Sequence, residues 1–153
     1  MPDDRYLAVT TGKAGFVGGL WNDAQLAAAQ RVEANLSALD FVRVVFGDPH
    51  GLTRSKTVAA STFRTVLRNG MDFSPGPFVF DTGHAIPLDI FAEGGEIGIE
   101  ELGGAGDFIV VPDPLTFRVL PHTGLRVGWV IGDEYLRDGT PHPLSSRAVL
   151  RRQ

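Results

Sequence analysis

The residues best able to do acid–base or metal chemistry in this chain are four histidines and a group of glutamates. His50, His84, His122 and His142 each stand beside a proline or a glycine, far apart from one another. They lack the close spacing of a metal-ligating set. Glu93, Glu96, Glu100 and Glu101 crowd one glycine-rich stretch. Carboxylates at that density could hold a divalent cation, but the simpler reading is a solvated acidic loop. There is no phosphate-cradling GxxxxGKS or GxxxxGKT run, no GxSxG elbow and no HExxH pair. Gly103-Gly104-Ala105-Gly106 is glycine-rich, but it precedes a strand-like run, whereas a dinucleotide fingerprint follows one. The residue types and spacings therefore predict no catalytic residues and no metal ligands of the chain's own.

The elements around these residues read as follows. Asn22 or Asp23 caps a helix to about Leu39, with Leu26, Ala29, Val32, Leu36 and Leu39 recurring at spacings of three and four. Phe41–Ala59 predicts a β-hairpin. Val42, Val44 and Phe46 face the core and alternate with Phe41, Arg43 and Val45, and Gly47-Asp48-Pro49-His50-Gly51 forms the turn. The return strand, carrying Arg54 and Lys56, suits a sheet edge. A helix follows, capped by Ser61 or Thr62, with Phe63, Val66 and Leu67 on one face and Gly70 as its stop.

From Met71 to Gly106 prolines and glycines break the pattern, although many large apolar residues remain. That composition argues for a functional loop rather than disorder. A short strand is expected near Phe78–Phe80. Further strands are expected at Phe108–Val111, Thr116–Leu120 and Leu125–Ile131, with Val127, Trp129 and Ile131 sharing a face. Ser145 or Ser146 then caps a last helix that has barely begun at Gln153. The predicted class is α+β: a β-grasp-like mixed sheet packed against a helix, with an additional N-terminal helix. The predicted organisation is a flexible lead-in over residues 1–21, a β-grasp domain over 22–137, and a linker with the first turn of a missing catalytic domain over 138–153.

Bulk properties narrow the class. The chain has 153 residues, a formal charge of −4 and a pI near 5.5. No basic stripe points to nucleic acid. No apolar run approaches the length that spans a bilayer, and Met1–Val9 lacks the pattern of a secretory signal. The absence of cysteine fits a reducing compartment. A soluble, cytoplasmic protein without nucleic-acid or membrane partners is the expectation.

Several short runs, taken in order, resemble the N-terminal domain of the glutamine synthetase family. Asp48-x-x-Gly51 at the hairpin turn resembles the family's D-x-x-G, and Arg54-x-Lys56-x-Val58 its R-G-K-x-V, with Ser55 in place of glycine. Gly70-Met71-x-Phe73 is similar to its G-x-x-F. Asp107–Thr116 is similar to D-x-x-x-x-P-D-x-x-T, with Leu120-Pro121 following; Asp138-Gly139-x-Pro141 and Arg147-x-x-Leu150 complete the series.

The resemblance implies a β-grasp domain of a ring-forming homo-oligomer, whose partners are the catalytic domains of its own and neighbouring subunits. It implies an ATP-dependent ligase joining ammonia or an amine to the γ-carboxylate of glutamate, with ATP and Mg²⁺ or Mn²⁺ bound in the full-length enzyme and none in this chain. It also implies that the loop Phe73, Ser74, Phe78 and Phe80 lies on the substrate side of an inter-subunit site. Phe78 and Phe80 are then either interface anchors or residues of this domain's own core. Where classical members carry an ammonium-binding Asp after the first Phe of the loop, this chain has Ser74, which puts ammonia as the substrate in doubt and leaves an organic amine as the alternative. The other reading of the whole chain is a stand-alone β-grasp interaction module.

Overall fold

In the computed structural model, residues 17–153 are described, apart from 90, 93–95, 97, 100–105 and 122–123. The elements are α1 (Asp23–Asn35), β1 (Phe41–Gly47), β2 (Thr53–Ala59), α2 (Ala60–Asn69), β3 (Met71–Phe73), α3 (Gly76–Val79), β4 (Phe108–Pro112), β5 (Arg118–Val119), β6 (Val127–Tyr135) and α4 (Ser146–Arg151). The strands form one mixed sheet of order β2-β1-β6-β4-β3, with β5 also paired to β6. β1 runs parallel to β6, with Phe41 opposite Val127 and Val45 opposite Ile131, whereas β5 runs antiparallel to β6. This is the α+β, β-grasp-like mixed sheet expected from the sequence. Among the described residues no helix is long and apolar enough to cross a membrane.

The residues group into two compact units. One takes in the described residues up to Val45 with Ser55–Met71 and Val111–Gly132; the other takes in Phe46–Arg54, Asp72–Val110 and Asp133–Gln153.

In the first unit, Asn22 caps α1 through a reciprocal pair with Gln25: each side chain accepts the other's backbone N–H. Gln25 is itself buried and donates to Asp113 Oδ1 at 3.2 Å. The buried stripe is Gln25, Ala28, Ala29, Val32 and Leu36, and Leu26 is only half-buried. The helix does not reach Leu39; it tightens into a 3₁₀ turn over Leu36–Ala38. Val17 is fully buried, and the Trp21 indole donates to the Pro112 carbonyl at 3.0 Å, so both residues pack with this unit.

Neither Ser61 nor Thr62 caps α2. The strand β2 runs straight into the helix, and the Ala60 N–H donates to the Asp40 carbonyl at 3.1 Å. Gly70, at φ +71°, stops the helix as expected.

Thr116–Leu120 is not a continuous strand. Asp113 accepts the Leu115 N–H and Pro114 lacks a donor, so Pro114–Thr116 winds into a 3₁₀ turn and only Arg118–Val119 pair. β6 starts two residues late and runs on to Tyr135. Val127, Gly128, Val130 and Gly132 are its buried positions here, while Trp129 and Ile131 are half-buried. A Cβ on Gly128 would sit 2.6 Å from Phe117 Cζ, so a larger residue there would have to displace that ring. On β1, Val45 is buried along with Val42 and Val44, contrary to strict alternation.

Candidate functional site

In the second unit the hairpin turn is organised by one buried carboxylate. Asp48 is 1% exposed. Its Oδ1 accepts the N–H groups of His50 at 3.0 Å and Leu52 at 2.9 Å, and its Oδ2 accepts Arg54 Nε at 2.7 Å. Gly51, at φ +77°, closes the turn and donates to the Asp48 carbonyl. Burial works against ionisation of Asp48. The Leu52 amide, the Arg54 guanidinium and the His50 amide outweigh it and hold the carboxyl below its ordinary range.

The segment that follows α2 is anchored in an aromatic cluster. Phe73 packs edge-on against Phe46 with centroids 4.9 Å apart and stacks on Phe108 at 5.9 Å. Phe78 lies 4.7 Å from Phe108 and stacks on His142 at 4.2 Å. Phe73 and Phe78 are both buried. The strand expected near Phe78–Phe80 is instead the short helix α3, with Phe80 extended beyond it. Pro75 at the N-cap and Pro77 in the first turn suit a helix start, because neither position needs a backbone N–H for an intrahelical bond.

Ser74 is exposed between the two buried rings, and its Oγ accepts the Gly76 N–H at 3.3 Å. Phe80 is half-buried. Its carbonyl accepts from His50 Nε2 at 2.7 Å, and its ring lies 5.3 Å beneath the Arg54 guanidinium. Asp81 then ties a loop by accepting the Gly83 and Ala85 amides.

A polar network lies at the C-terminal end of this unit. The Asp138-Gly139-Thr140 turn brings Pro141 back antiparallel to Tyr135. His142, 1% exposed, donates its N–H to the Glu134 carbonyl, and its Nδ1 accepts from the Leu144 amide at 3.2 Å. The Nε2–H tautomer follows from that acceptance. Glu134, also 1% exposed, accepts a short hydrogen bond from the Ser145 hydroxyl on Oε2; its Oε1 is buried with no partner among the described residues. Burial pushes the Glu134 carboxyl above its ordinary range, against the Ser145 bond. Ser145 also caps α4 by accepting the Ala148 N–H. Arg147 and Arg151 each hold Asp133 at 2.7 Å.

The structure thus brings Phe73, Ser74, Phe78 and Phe80 onto one anchored segment, with Ser74 outward and Phe80 at the rim. It does not gather the histidines. His142 is buried, His50 and His84 are exposed, the one at the Phe80 carbonyl and the other near its ring, and His122 lies outside the described residues. Glu96 accepts the Asp89 amide, while Glu93, Glu100, Glu101 and Gly103–Ala105 lie outside the described residues. Among the described residues no three His, Asp or Glu side chains are placed to hold a metal ion. Sequence reasoning missed the grip of His50 and Arg54 on Phe80 and the buried pair Glu134–Ser145. The Asp-Gly turn after Tyr135 was the one available signal for the latter.

No family model matches the chain. It is 33% identical over 138 residues to the gamma-glutamylanilide synthase of an Acinetobacter species, covering 87% of this chain and 27% of that protein. It is 29% identical over 138 residues to the gamma-glutamylpolyamine synthetase GlnA3 of Streptomyces coelicolor, covering 88% and 27%. It is 32% identical over 114 residues to the glutamine synthetase of Methanosarcina mazei, covering 72% and 21%. The chain therefore spans about a quarter of the length of these relatives. A solved structure described as a novel glutamine synthase homolog has the same fold, with a TM-score of 0.60 at 22% identity over 74% of this chain and 25% of that one. These likenesses identify the chain as related to the glutamine synthetase family and consistent, in extent, with that family's N-terminal domain.

Proposed function

We propose that this chain is the N-terminal, non-catalytic domain of an ATP-dependent ligase that joins an amine to the γ-carboxylate of glutamate. In this reading it completes an active site whose catalytic domain belongs to a neighbouring subunit of a homo-oligomer. ATP with Mg²⁺ or Mn²⁺ would activate the γ-carboxylate by phosphorylation, and the described residues of this chain supply no cluster to hold those ions. Its own contribution is positional. The buried rings of Phe73 and Phe78 fix the backbone between them, and Ser74 is presented outward from it.

The observation that carries the reading is that exposed, neutral Ser74. It stands where the family resemblance places an ammonium-binding carboxylate. A hydroxyl offers a hydrogen bond without the full charge that would hold a small cation. An uncharged organic amine therefore suits the position better than ammonium. Two of the similar proteins carry names that point to organic amines, an aryl amine for the anilide synthase and a polyamine for the polyamine synthetase, and of these the aryl amine is the uncharged one.

The test is product formation by the protein from the complete reading frame, incubated with glutamate, ATP, Mg²⁺ and either ammonium, an aryl amine or a polyamine. Mass spectrometry should find a γ-glutamyl amide of an organic amine. The 153-residue chain alone should release no phosphate. Glutamate-dependent ATP hydrolysis by the 153-residue chain would overturn the assignment.

A further inference from the structure

We propose that the β1–β2 turn sets the position of Ser74, with His50 as the positioning residue; this rests on the amine-side reading of Ser74. The buried Asp48 carboxylate orders two residues at once, through the His50 amide at 3.0 Å and Arg54 Nε at 2.7 Å. Both residues grip Phe80. A carbonyl can only accept, so the His50 ring donates from Nε2 to Phe80 O, and the Arg54 guanidinium covers the Phe80 ring.

That ring in turn packs on Gly76. A Cβ built there would lie 3.7 Å from Phe80 Cε1 and Cζ and 3.6 Å from Ser74 Oγ. The Gly76 N–H holds the Ser74 hydroxyl oxygen at 3.3 Å. The chain of contacts from turn to loop is continuous: Asp48 to His50 and Arg54, these to Phe80, Phe80 to Gly76, and Gly76 to Ser74. At the other end Ser74 follows Phe73, which the aromatic cluster holds. Ser74 is thus fixed from both sides, and the exposed His50 side chain is the replaceable link on one of them.

The experiment compares the 153-residue chain with its His50→Ala and His50→Gln variants by amide hydrogen exchange at Gly76. His50→Ala should speed Gly76 exchange about fivefold, the effect of losing one net hydrogen bond. His50→Gln, which keeps a donor, should return it to within about twofold. Unchanged Gly76 exchange in His50→Ala, with the same melting temperature as wild type, overturns the proposal. The same variants in the complete enzyme separate the two layers. His50→Ala should raise the KM for the amine while kcat and the KM for glutamate hold. Faster exchange with an unaltered amine KM would leave the positioning intact and sink the amine-side reading of Ser74.

Discussion

Phe78 lies face to face on His142, with ring centroids 4.2 Å apart and planes within 13° of parallel. Both residues are buried, so within this chain Phe78 is part of a packed interior. Phe80, two residues on, is half-buried and held by its carbonyl and the Arg54 guanidinium. Truncating the two should separate these environments. Phe78→Ala should destabilise the chain by about 3–5 kcal/mol. Phe80→Ala should cost under about half of that, because less of its ring is removed from water. Chemical denaturation of both variants checks this, and equal losses would contradict it.

The hairpin offers a sharper contrast. Val44 is wholly buried on β1, and Thr53 is exposed at the start of the edge strand β2. Val44→Asp places an unpaired charge in the interior and should cost several kcal/mol, roughly the whole margin of a small domain. Thr53→Asp should stay within about 0.5 kcal/mol of wild type. Thermal melts that fail to separate the two would show the face assignment of β1 to be wrong.

Glu134 makes a prediction about pH. Its folded-state pKa is raised by burial, so the folded chain binds that proton more tightly than the unfolded chain does. The resulting stability is complete below the ordinary glutamate pKa and is lost as pH rises through the raised value. Asp48, whose pKa is lowered, runs the other way and loses its contribution as pH falls. Glu134→Gln keeps an acceptor for Ser145 and removes the titration. The variant should therefore melt above wild type at about pH 8, with the gap closing toward about pH 4. A gap that is constant across this range would contradict the assigned cause.

Local chemistry was readable wherever one or two neighbouring residues decide the outcome. The Asn22 cap, the Asp48 turn and the Ser145 cap follow from side chains that bond nearby backbone, the Gly70 stop from a residue with no side chain to resist a positive φ, and the buried β4 run from its unbroken apolar sequence. The apolar run Phe78–Phe80 suggests a strand, whereas Pro75 at the N-cap and Pro77 in the first turn begin the helix α3. The extension of β6 through Asp133 and Glu134 was not legible either. Acidic residues argue against a buried strand until Arg147, Arg151 and Ser145 are known to meet them. The cluster of Phe46, Phe73, Phe78, Phe108 and His142 joins residues far apart in sequence, which no local pattern reports.

The central claim is that the anchored segment around Ser74 faces the amine. The most direct measurement is kcat/KM for ammonium and for an organic amine, in the complete enzyme and in its Ser74→Asp variant. Ser74 is exposed and, among the described residues, makes one hydrogen bond, so the substitution should leave the fold intact. Wild type should favour the organic amine. The variant should gain about tenfold for ammonium relative to the organic amine, as a new charged hydrogen bond is formed to the cation. A ratio of the two kcat/KM values that does not move on Ser74→Asp would contradict the account.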